Sequence, residues 1–265
     1  GYQQGLPNEC PSCESSYIRF FGTGTQKVEE ELGKVLPEAR VIRMDVDTTS
    51  RKGAHEKLLK KFADKKADIL LGTQMIAKGL DFPNVTLVGV LAADSMLHLP
   101  DFRASERTFQ LLTQVSGRAG RHELPGDVVV QSYTPGHYSI ELASRHDYLS
   151  FYQQEMEQRR TRNYPPYYFL ALVTISDPDL TKTAGTAEKI AEFLKGALTE
   201  RSIILGPVAA AIPRIKDRYR YQCVIKYKRE PGLRSAIEQI LSHYAKSPAQ
   251  KELQISIDMN PQMLM

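Results

Sequence analysis

The chain contains the stretch Gln114-Val115-Ser116-Gly117-Arg118-Ala119-Gly120-Arg121, which joins a predicted helix, Ala104–Ser116, to a predicted strand, Gly126–Gln131. A glycine precedes each of Arg118 and Arg121, and the two arginines lie three residues apart. Residues at this spacing fall on one side of a helical turn. Planar guanidinium groups can bridge two phosphate oxygens, and glycines let the backbone approach a ligand or a facing domain closely. The pattern favours a phosphate-chain site over the alternative, an exposed arginine-rich helix end.

Length and composition indicate a globular protein. The chain has 265 residues, of which 42% are apolar, enough for one large or two ordinary domains. It has no apolar run of the length that crosses a membrane and no features of a signal peptide, so we predict a cytosolic location and no membrane partner. The net charge of +4 arises from residues 161–265.

Apolar strands alternate with amphipathic helices from about Tyr17 to Tyr133. The spacing of Thr23 and Gln26 predicts a capping box at the start of the first helix. The predicted strands are Val41–Met44, Ile69–Leu71, Val85–Leu91 and Gly126–Gln131. This order predicts one three-layer α/β domain with a mainly parallel sheet. The polar, glycine-bearing segment Gly72–Pro83 follows a strand at the end where open parallel sheets bind ligands.

The remainder of the chain predicts a second domain of the order strand-helix-strand-strand-helix-strand, a split β-α-β layout. Its predicted elements are Phe169–Ile175, Thr181–Leu198, Ile203–Leu205, Tyr219–Tyr227, Leu233–Tyr244 and Leu253–Ile257. Cys223 alternates with apolar residues and is expected in the core.

Basic residues recur with a period of two between Arg214 and Lys228. Read as one strand, this segment would place Arg214, Lys216, Arg218 and Arg220 on one face. Such a face suits a ladder of phosphates and equally suits a solvated surface that keeps the domain soluble.

Cys10-Pro11-Ser12-Cys13 has the spacing of half a zinc knuckle. Structural zinc takes four ligands, and this chain has no second pair of cysteines. Two free thiols in a frayed terminus are the alternative interpretation.

Several stretches resemble known helicases. Gly72–Pro83 resembles motif V, and Gln114–Arg121 resembles motif VI, of superfamily 2 helicases. Five further stretches resemble the PriA family of primosomal replication-restart helicases (primosomal protein N′): Asp94-Ser95, Pro100–Ala104, Glu106–Thr113, Tyr164–Tyr167 and Tyr219–Gln222.

The resemblance implies an ATP-driven 3′-to-5′ DNA helicase that recognises stalled or branched replication forks and restarts replication through primosome assembly. It implies a zinc-ribbon remnant in residues 1–16, a RecA-like second motor lobe in residues 17–160, and a small α+β domain like ribosomal protein S10 in residues 161–265. Expected partners are branched and single-stranded DNA, single-stranded-DNA-binding protein, and the primosome and replicative-helicase loading proteins of a bacterial cytoplasm.

The chain lacks the phosphate-binding loop and the magnesium motif that such helicases carry on their first lobe. We therefore expect a piece of a longer enzyme that is inactive alone. The full-length enzyme would use ATP, Mg²⁺ and Zn²⁺, and Cys10 and Cys13 would be half of a zinc site that is empty in this chain.

By resemblance, ATP contacts come from both motifs. Gln114, Arg118 and Arg121 match positions that reach ATP, with Arg118 as the arginine finger, and Gly79 and Asp81 match the nucleotide side of motif V. The alternative function is a catalytically silent DNA-binding adaptor built on a degraded lobe, but the intact arginines favour the helicase.

DNA contacts would come from Thr73 and Gln74, which match positions that touch the single-strand backbone. In the C-terminal domain they would come from the basic face of Arg214, Lys216, Arg218 and Arg220. Lys78 suits either ligand or neither.

Overall fold

A computed structural model describes residues 9, 13–15, 24–50, 53–73, 76, 82–120, 125–245 and 252–264. The chain divides into two compact units. The N-terminal unit comprises Tyr2–Leu99 and Ala104–Phe151, and the C-terminal unit comprises Tyr152–Met265 together with Pro100–Arg103. A four-residue segment inside the first half of the sequence therefore folds with the second half.

The N-terminal unit is a mixed α/β structure with parallel strands, as predicted. Its elements are α1 Thr25–Val35, β1 Val41–Met44, α2 Val46–Thr49, α3 Ala54–Ala63, β2 Ile69–Gly72, β3 Leu87–Val90, a 3₁₀ turn Ala93–Ser95, α4 Ala104–Ser116, β4 Asp127–Val130, α5 Tyr138–Ser144 and the start of α6 Tyr148–Thr161. Among the described residues, β1 pairs in parallel with β2, and β3 pairs in parallel with β4. The described strands thus form two separate parallel pairs, whereas the sequence predicted one sheet.

The predicted capping box places the N-cap one residue too early, and Thr23 itself lies outside the described residues. Helix α1 begins at Thr25 with Gly24 at the N-cap position, and no side chain caps it. The capping box of this unit lies instead at α2, where Asp45 accepts a hydrogen bond from the Thr48 N–H and the Thr48 hydroxyl accepts one from the Asp45 N–H. The sequence analysis missed α2 because a single helical turn has no apolar period to detect.

Aromatic stacking closes the core of the N-terminal unit. Phe109 on α4 stacks on Phe151 at the start of α6, with ring centroids 4.1 Å apart. Leu112, Ile140 and Ala143 are buried beside them. The apolar face of α4 is therefore fixed against α5 and α6, and its polar face is left for other contacts.

The C-terminal unit is a four-stranded antiparallel sheet with two helices. Its elements are β5 Phe169–Asp177, α7 Leu180–Ala197, β6 Ile203–Ile215, β7 Arg218–Tyr227, α8 Leu233–Ala245 and β8 Gln254–Met259. The strand order is β6-β7-β5-β8, so the two β-α-β halves interleave as the split layout predicts. The likeness to ribosomal protein S10 stays a prediction.

The main core of this unit lies between the sheet and its helices. Alternate residues of β5 and β7 pack on α7 and α8, as the strand period requires. The buried strand residues are Ala171, Val173, Ile175, Cys223 and Ile225. They contact buried helix residues that include Ala187, Ile190, Ala191, Leu194, Leu233, Ala236 and Ile240. Among the helices described, none is both long and apolar enough to span a membrane.

The predicted core position of Cys223 is confirmed. Its side chain is fully buried, and burial raises the pKa of the thiol to about 11. Cys13, by contrast, is exposed.

We expect Cys223 to resist alkylation in the native chain at pH 8, because a buried thiol with a raised pKa is neither accessible nor ionised. Peptide mapping after iodoacetamide treatment should find Cys13 modified and Cys223 modified only after addition of denaturant. Equal modification of the two cysteines in native protein would contradict this packing.

Candidate functional site

The arginine stretch follows the C-terminal end of α4. The Gly117 N–H donates to the Thr113 carbonyl at 3.3 Å, and the Arg118 N–H donates to the Val115 carbonyl at 3.0 Å, so the chain turns directly after the helix. Gln114 is exposed on α4, and Arg118 is half-buried four residues later. The structure thus brings Gln114 and Arg118 to the same end of one helix, while Arg121 lies outside the described residues.

Backbone contacts hold the turn after Arg118. Gly120 has a left-handed φ of +66°, and its N–H donates to the Val85 carbonyl at 3.2 Å. A Cβ atom on Gly120 would lie 2.8 Å from the Gly126 nitrogen, and one on Gly126 would lie 2.1 Å from the Gly120 nitrogen. No L side chain fits at either position. The close backbone approach predicted for this stretch therefore occurs within the unit, between Gly120 and Gly126. It holds the turn against the start of β4.

Gly117 does not share this constraint. The nearest atoms to a Cβ there would be backbone oxygens at 3.7 and 3.8 Å, which is ordinary contact distance. Its predicted role in a close approach is not supported within this unit.

A buried carboxylate connects the ends of β3 and β4. Asp94 is fully buried and accepts hydrogen bonds from the Ser132 hydroxyl at 2.9 Å and the Tyr133 N–H at 2.8 Å, and from both the N–H and the hydroxyl of Thr134. Burial alone would raise the pKa of Asp94, but these hydrogen bonds outweigh it and lower the pKa to about 2. The carboxylate of Asp94 therefore has a structural role, because its hydrogen bonds join the loops that follow β3 and β4.

The motif V segment is only partly described. Thr73 is exposed directly after β2, whereas Gln74, Lys78, Gly79 and Asp81 lie outside the described residues. A Cβ atom on Gly72, at the end of β2, would lie 2.6 Å from the Met44 carbonyl oxygen, so β1 and β2 approach closely there.

A polar cluster that the sequence analysis missed lies at the end of β1. Asp45 accepts from the Thr25 hydroxyl at 2.6 Å, and its carboxylate lies 3.1 Å from Nε of Arg43. The hydrogen bond from Thr25, followed by that from the Thr48 N–H, lowers the pKa of Asp45 to about 2. Because Met44 pairs with Gly72, this cluster and Thr73 follow neighbouring strands at the same edge. The Asp-x-x-Thr spacing was the available signal.

The basic segment of the C-terminal unit is a hairpin, so its interpretation as one strand from Arg214 to Lys228 is wrong. Lys216 and Asp217, with φ of +50° and +59°, form the turn between β6 and β7. Such two-residue turns need positive φ at both positions. Arg214 lies opposite Tyr219, with its guanidinium carbon 5.0 Å from the ring centroid. Because opposed residues share a face, Arg214 points away from the face of Arg218.

The remaining arginines of the hairpin contact the protein itself. Nη2 of Arg218 donates to the carbonyls of Ser176 and Glu252, and Nη1 of Arg220 donates to the Ile212 carbonyl at 3.4 Å. Both side chains are half-buried. Lys216 is exposed at the turn, and the guanidinium of Arg214 lies 3.2 Å from the carboxylate of Asp217. The four predicted DNA-binding residues thus cluster around one hairpin tip and do not form a ladder.

Lys226 does not join this cluster. It is buried, its Nζ donates to the Arg162 carbonyl at 2.9 Å, and it lies 3.5 Å from the centroid of the Tyr164 ring. Burial lowers the pKa of its amine.

Comparison with known proteins identifies both units. The family model "Helicase conserved C-terminal domain" matches residues 14–123, and "Primosomal protein N C-terminal domain" matches residues 160–262. The replication restart protein PriA of Bacillus subtilis is 68% identical over 265 residues, which are all of this chain and 33% of that protein.

The chain belongs to the PriA family of replication restart proteins.

The resemblance inferred from the sequence is thereby confirmed. PriA of Synechocystis is 50% identical over 221 residues, covering 83% of this chain and 27% of that protein. PriA of Haemophilus influenzae is 35% identical over 266 residues, covering 100% of this chain and 36% of that protein. The chain spans about a third of the length of the PriA relatives that it matches.

The zinc expectation rests on two cysteines. Cys10 lies outside the described residues, and Cys13 is exposed. Within the described ranges, no group of three or more histidine, cysteine or carboxylate side chains could hold a metal ion. A complete tetrahedral site needs four ligands, and the described residues alone do not form one, so the zinc expectation stays a prediction.

We predict that Gly126→Ala lowers the free energy of unfolding by about 1–3 kcal/mol, because the added methyl group meets backbone atoms that cannot rotate away. The matched control is Gly33→Ala, an exposed position within α1 with nothing within 4 Å of the added Cβ. That change should be neutral or stabilising by up to about 1 kcal/mol. Urea unfolding measures both, and equal midpoints would contradict the close approach of Gly120 and Gly126.

Proposed function

We propose that this chain supplies the second motor lobe and the C-terminal DNA-binding domain of an ATP-dependent 3′-to-5′ DNA helicase. The helicase recognises stalled or branched replication forks and restarts replication through primosome assembly. The observation that supports this most is that a helicase model and a primosomal model match successive parts of one chain. The position of Arg118, in a turn held by backbone contacts at the end of α4, is consistent with it.

In this proposal Arg118 acts as an arginine finger. Its guanidinium stabilises the negative charge that spreads over the transferring phosphoryl group, while Gln114 and Arg121 bind and orient ATP. Gly79 and Asp81 face the nucleotide from motif V. The first motor lobe, outside this chain, would supply the phosphate-binding loop and the Mg²⁺ ligands. The apolar side of α4 packs on α5 and α6, and Gln114 on the opposite side is exposed.

DNA would bind at two places. Thr73 and Gln74 follow β2 and would contact the single-strand backbone. The hairpin tip with Arg214, Lys216, Arg218 and Arg220 would contact phosphates of branched DNA. Arg214 and Lys216 are exposed, and Asp217 beside Lys216 reduces the local charge.

The proposal also includes the location and the binding partners of the complete protein. The complete protein acts in the bacterial cytoplasm, binds Zn²⁺ through further cysteines, and contacts single-stranded-DNA-binding protein and the proteins that load the replicative helicase. Relatives that carry the replication restart name support this setting.

Arg118→Ala in the complete enzyme should lower kcat for DNA-stimulated ATP hydrolysis by about 10³-fold or more and leave KM for ATP nearly unchanged. The matched control, Arg145→Ala, removes an exposed arginine that pairs with Glu141 and should leave kcat unchanged. The 265-residue chain alone should hydrolyse no ATP, since it lacks the phosphate-binding lobe.

The kinetic results distinguish the proposed role of Arg118 from two alternatives. A change in KM alone would make Arg118 a ground-state ligand and pass the finger role to Arg121. A complete protein with no DNA-stimulated hydrolysis would favour the silent adaptor.

DNA binding by the 265-residue chain should weaken with salt, with log affinity falling against log salt at a slope of roughly −2 to −4 if a few cations meet phosphates. Lys216→Ala and Arg220→Ala should each reduce that slope by about one without changing sequence preference. Lys189→Ala on α7 is the control, since it removes an exposed lysine away from the hairpin. Fluorescence anisotropy with a forked DNA measures these slopes, and an unchanged slope in both hairpin variants would exclude this surface.

A further inference from the structure

The segment Pro100–Arg103 interrupts the N-terminal unit in sequence but folds with the C-terminal unit. The chain therefore passes between the units at residues 99–100 and 103–104 as well as at 151–152. A tandem pair of domains needs only the last of these connections. The other two connections therefore need a physical explanation.

Hydrogen bonds hold both ends of this segment. The buried carboxylate of Asp101 accepts from the Arg103 N–H at 2.8 Å and from the Leu264 N–H at 3.2 Å. Nη1 of Arg103 donates to the carbonyls of Pro261 and Gln262 at 3.0 and 3.2 Å. These contacts join the segment to residues that follow β8.

Phe102 fixes the middle of the segment by stacking. Its ring lies parallel to that of Tyr164, with centroids 4.7 Å apart and an interplanar angle of 8°. The guanidinium carbon of Arg103 lies 4.1 Å from the Phe102 centroid, and that of Arg159 lies 5.2 Å away. Arg159 is itself held by Glu155 at 2.7 Å, with both side chains largely buried. Stacked rings and cations over a ring each add to ordinary apolar burial.

The same rings cover the second face of the C-terminal sheet. Phe102 and Tyr164 pack on a small buried cluster of Leu170, Leu172, Val224 and Leu264. Leu170, Leu172 and Val224 alternate with the β5 and β7 residues that face α7 and α8, and Leu264 follows β8. The segment is thus part of the core of the C-terminal unit.

Helix α4 begins at the next residue, Ala104. This 13-residue helix carries Gln114 and ends two residues before Arg118. Because an α-helix is stiff over this length, a displacement of Arg103 moves the first turn of α4 and is passed toward its far end.

We infer that Phe102 and Arg103 are positioning residues that couple DNA binding by the C-terminal unit to the placement of Gln114 and Arg118 for ATP hydrolysis. This inference rests on the proposed function and adds to it the route by which DNA stimulates hydrolysis. Residues that carry such coupling change it by about 2- to 30-fold when substituted.

The test uses the complete enzyme with Phe102→Leu and Arg103→Ala. Phe102→Leu keeps apolar volume but removes the stacked ring, and Arg103→Ala removes the donor to Pro261 and Gln262. We expect the DNA-stimulated kcat to fall by about three- to tenfold, while the basal rate without DNA, KM for ATP and DNA affinity stay within about twofold. Phe102→Tyr should restore stimulation because it keeps the ring.

The partner ring provides a second series. Tyr164→Ala should reproduce the loss of stimulation, and Tyr164→Phe should not, since the phenyl ring is sufficient for the stack. Matched controls on the helices of the same unit are Phe193→Leu and Arg234→Ala, whose side chains are exposed. Both should retain full stimulation.

Each possible result tests either the proposed function or the coupling through Phe102 and Arg103. A wild-type enzyme that DNA does not stimulate would refute the proposed function itself. Normal stimulation in Phe102→Leu, Arg103→Ala and Tyr164→Ala would overturn the coupling alone. Parallel loss of the basal rate or of DNA affinity would also overturn it, since the segment would then be only structural.

A second measurement does not depend on hydrolysis. In the 265-residue chain, hydrogen exchange should become faster in Phe102→Leu both at residues 262–264 and along α4, and should not in Phe193→Leu. Faster exchange at 262–264 with unchanged exchange in α4 would overturn the inference, because the disturbance would stop at the segment.

Discussion

Two backbone segments meet at Gly120 and Gly126 with no room for a Cβ atom on either residue. This contact, with the hydrogen bond from the Gly120 N–H to the Val85 carbonyl, fixes the turn that follows Arg118 against the strands of the N-terminal unit. The backbone that follows Arg118 is therefore positioned by main-chain packing. This matters for the proposed function, because a group that acts only in a transition state must be held where charge develops.

Two buried carboxylates have a comparable structural role, one in each unit. Asp94 accepts hydrogen bonds from residues after β4, and Asp101 accepts them from Arg103 and Leu264. A buried carboxylate is costly unless its oxygens are satisfied, so each of these side chains specifies the loop geometry around it. Both lie in the connection between β3 and α4, after the carboxyl end of a strand, where a carboxylate in the sequence would equally suggest chemistry.

Periodicity predicted most helices and strands, the α/β character of the first unit and the split layout of the second. It failed at the hairpin of β6 and β7, where a two-residue turn changes which side chains share a face. The alternation of basic residues continues through Lys216 and Asp217, but a two-residue hairpin turn pairs Ile215 with Arg218. Even positions before the turn then share a face with odd positions after it, which separates Arg214 from Arg218. The predicted capping box failed similarly, because the helix begins at Thr25, beyond the proposed cap.

The sequence by itself determined the family and the core position of Cys223, because motif identity and apolar spacing are local properties. It also named the residues for which a nucleotide role is proposed. The tertiary structure decided which cations share a surface, why Gly120 and Gly126 must be glycines, and that Phe102 belongs to the core of the other half of the chain. The physical reason is that these features depend on contacts between residues far apart in sequence. Phe102 and Tyr164 stack although 62 residues separate them, and no local pattern encodes that distance.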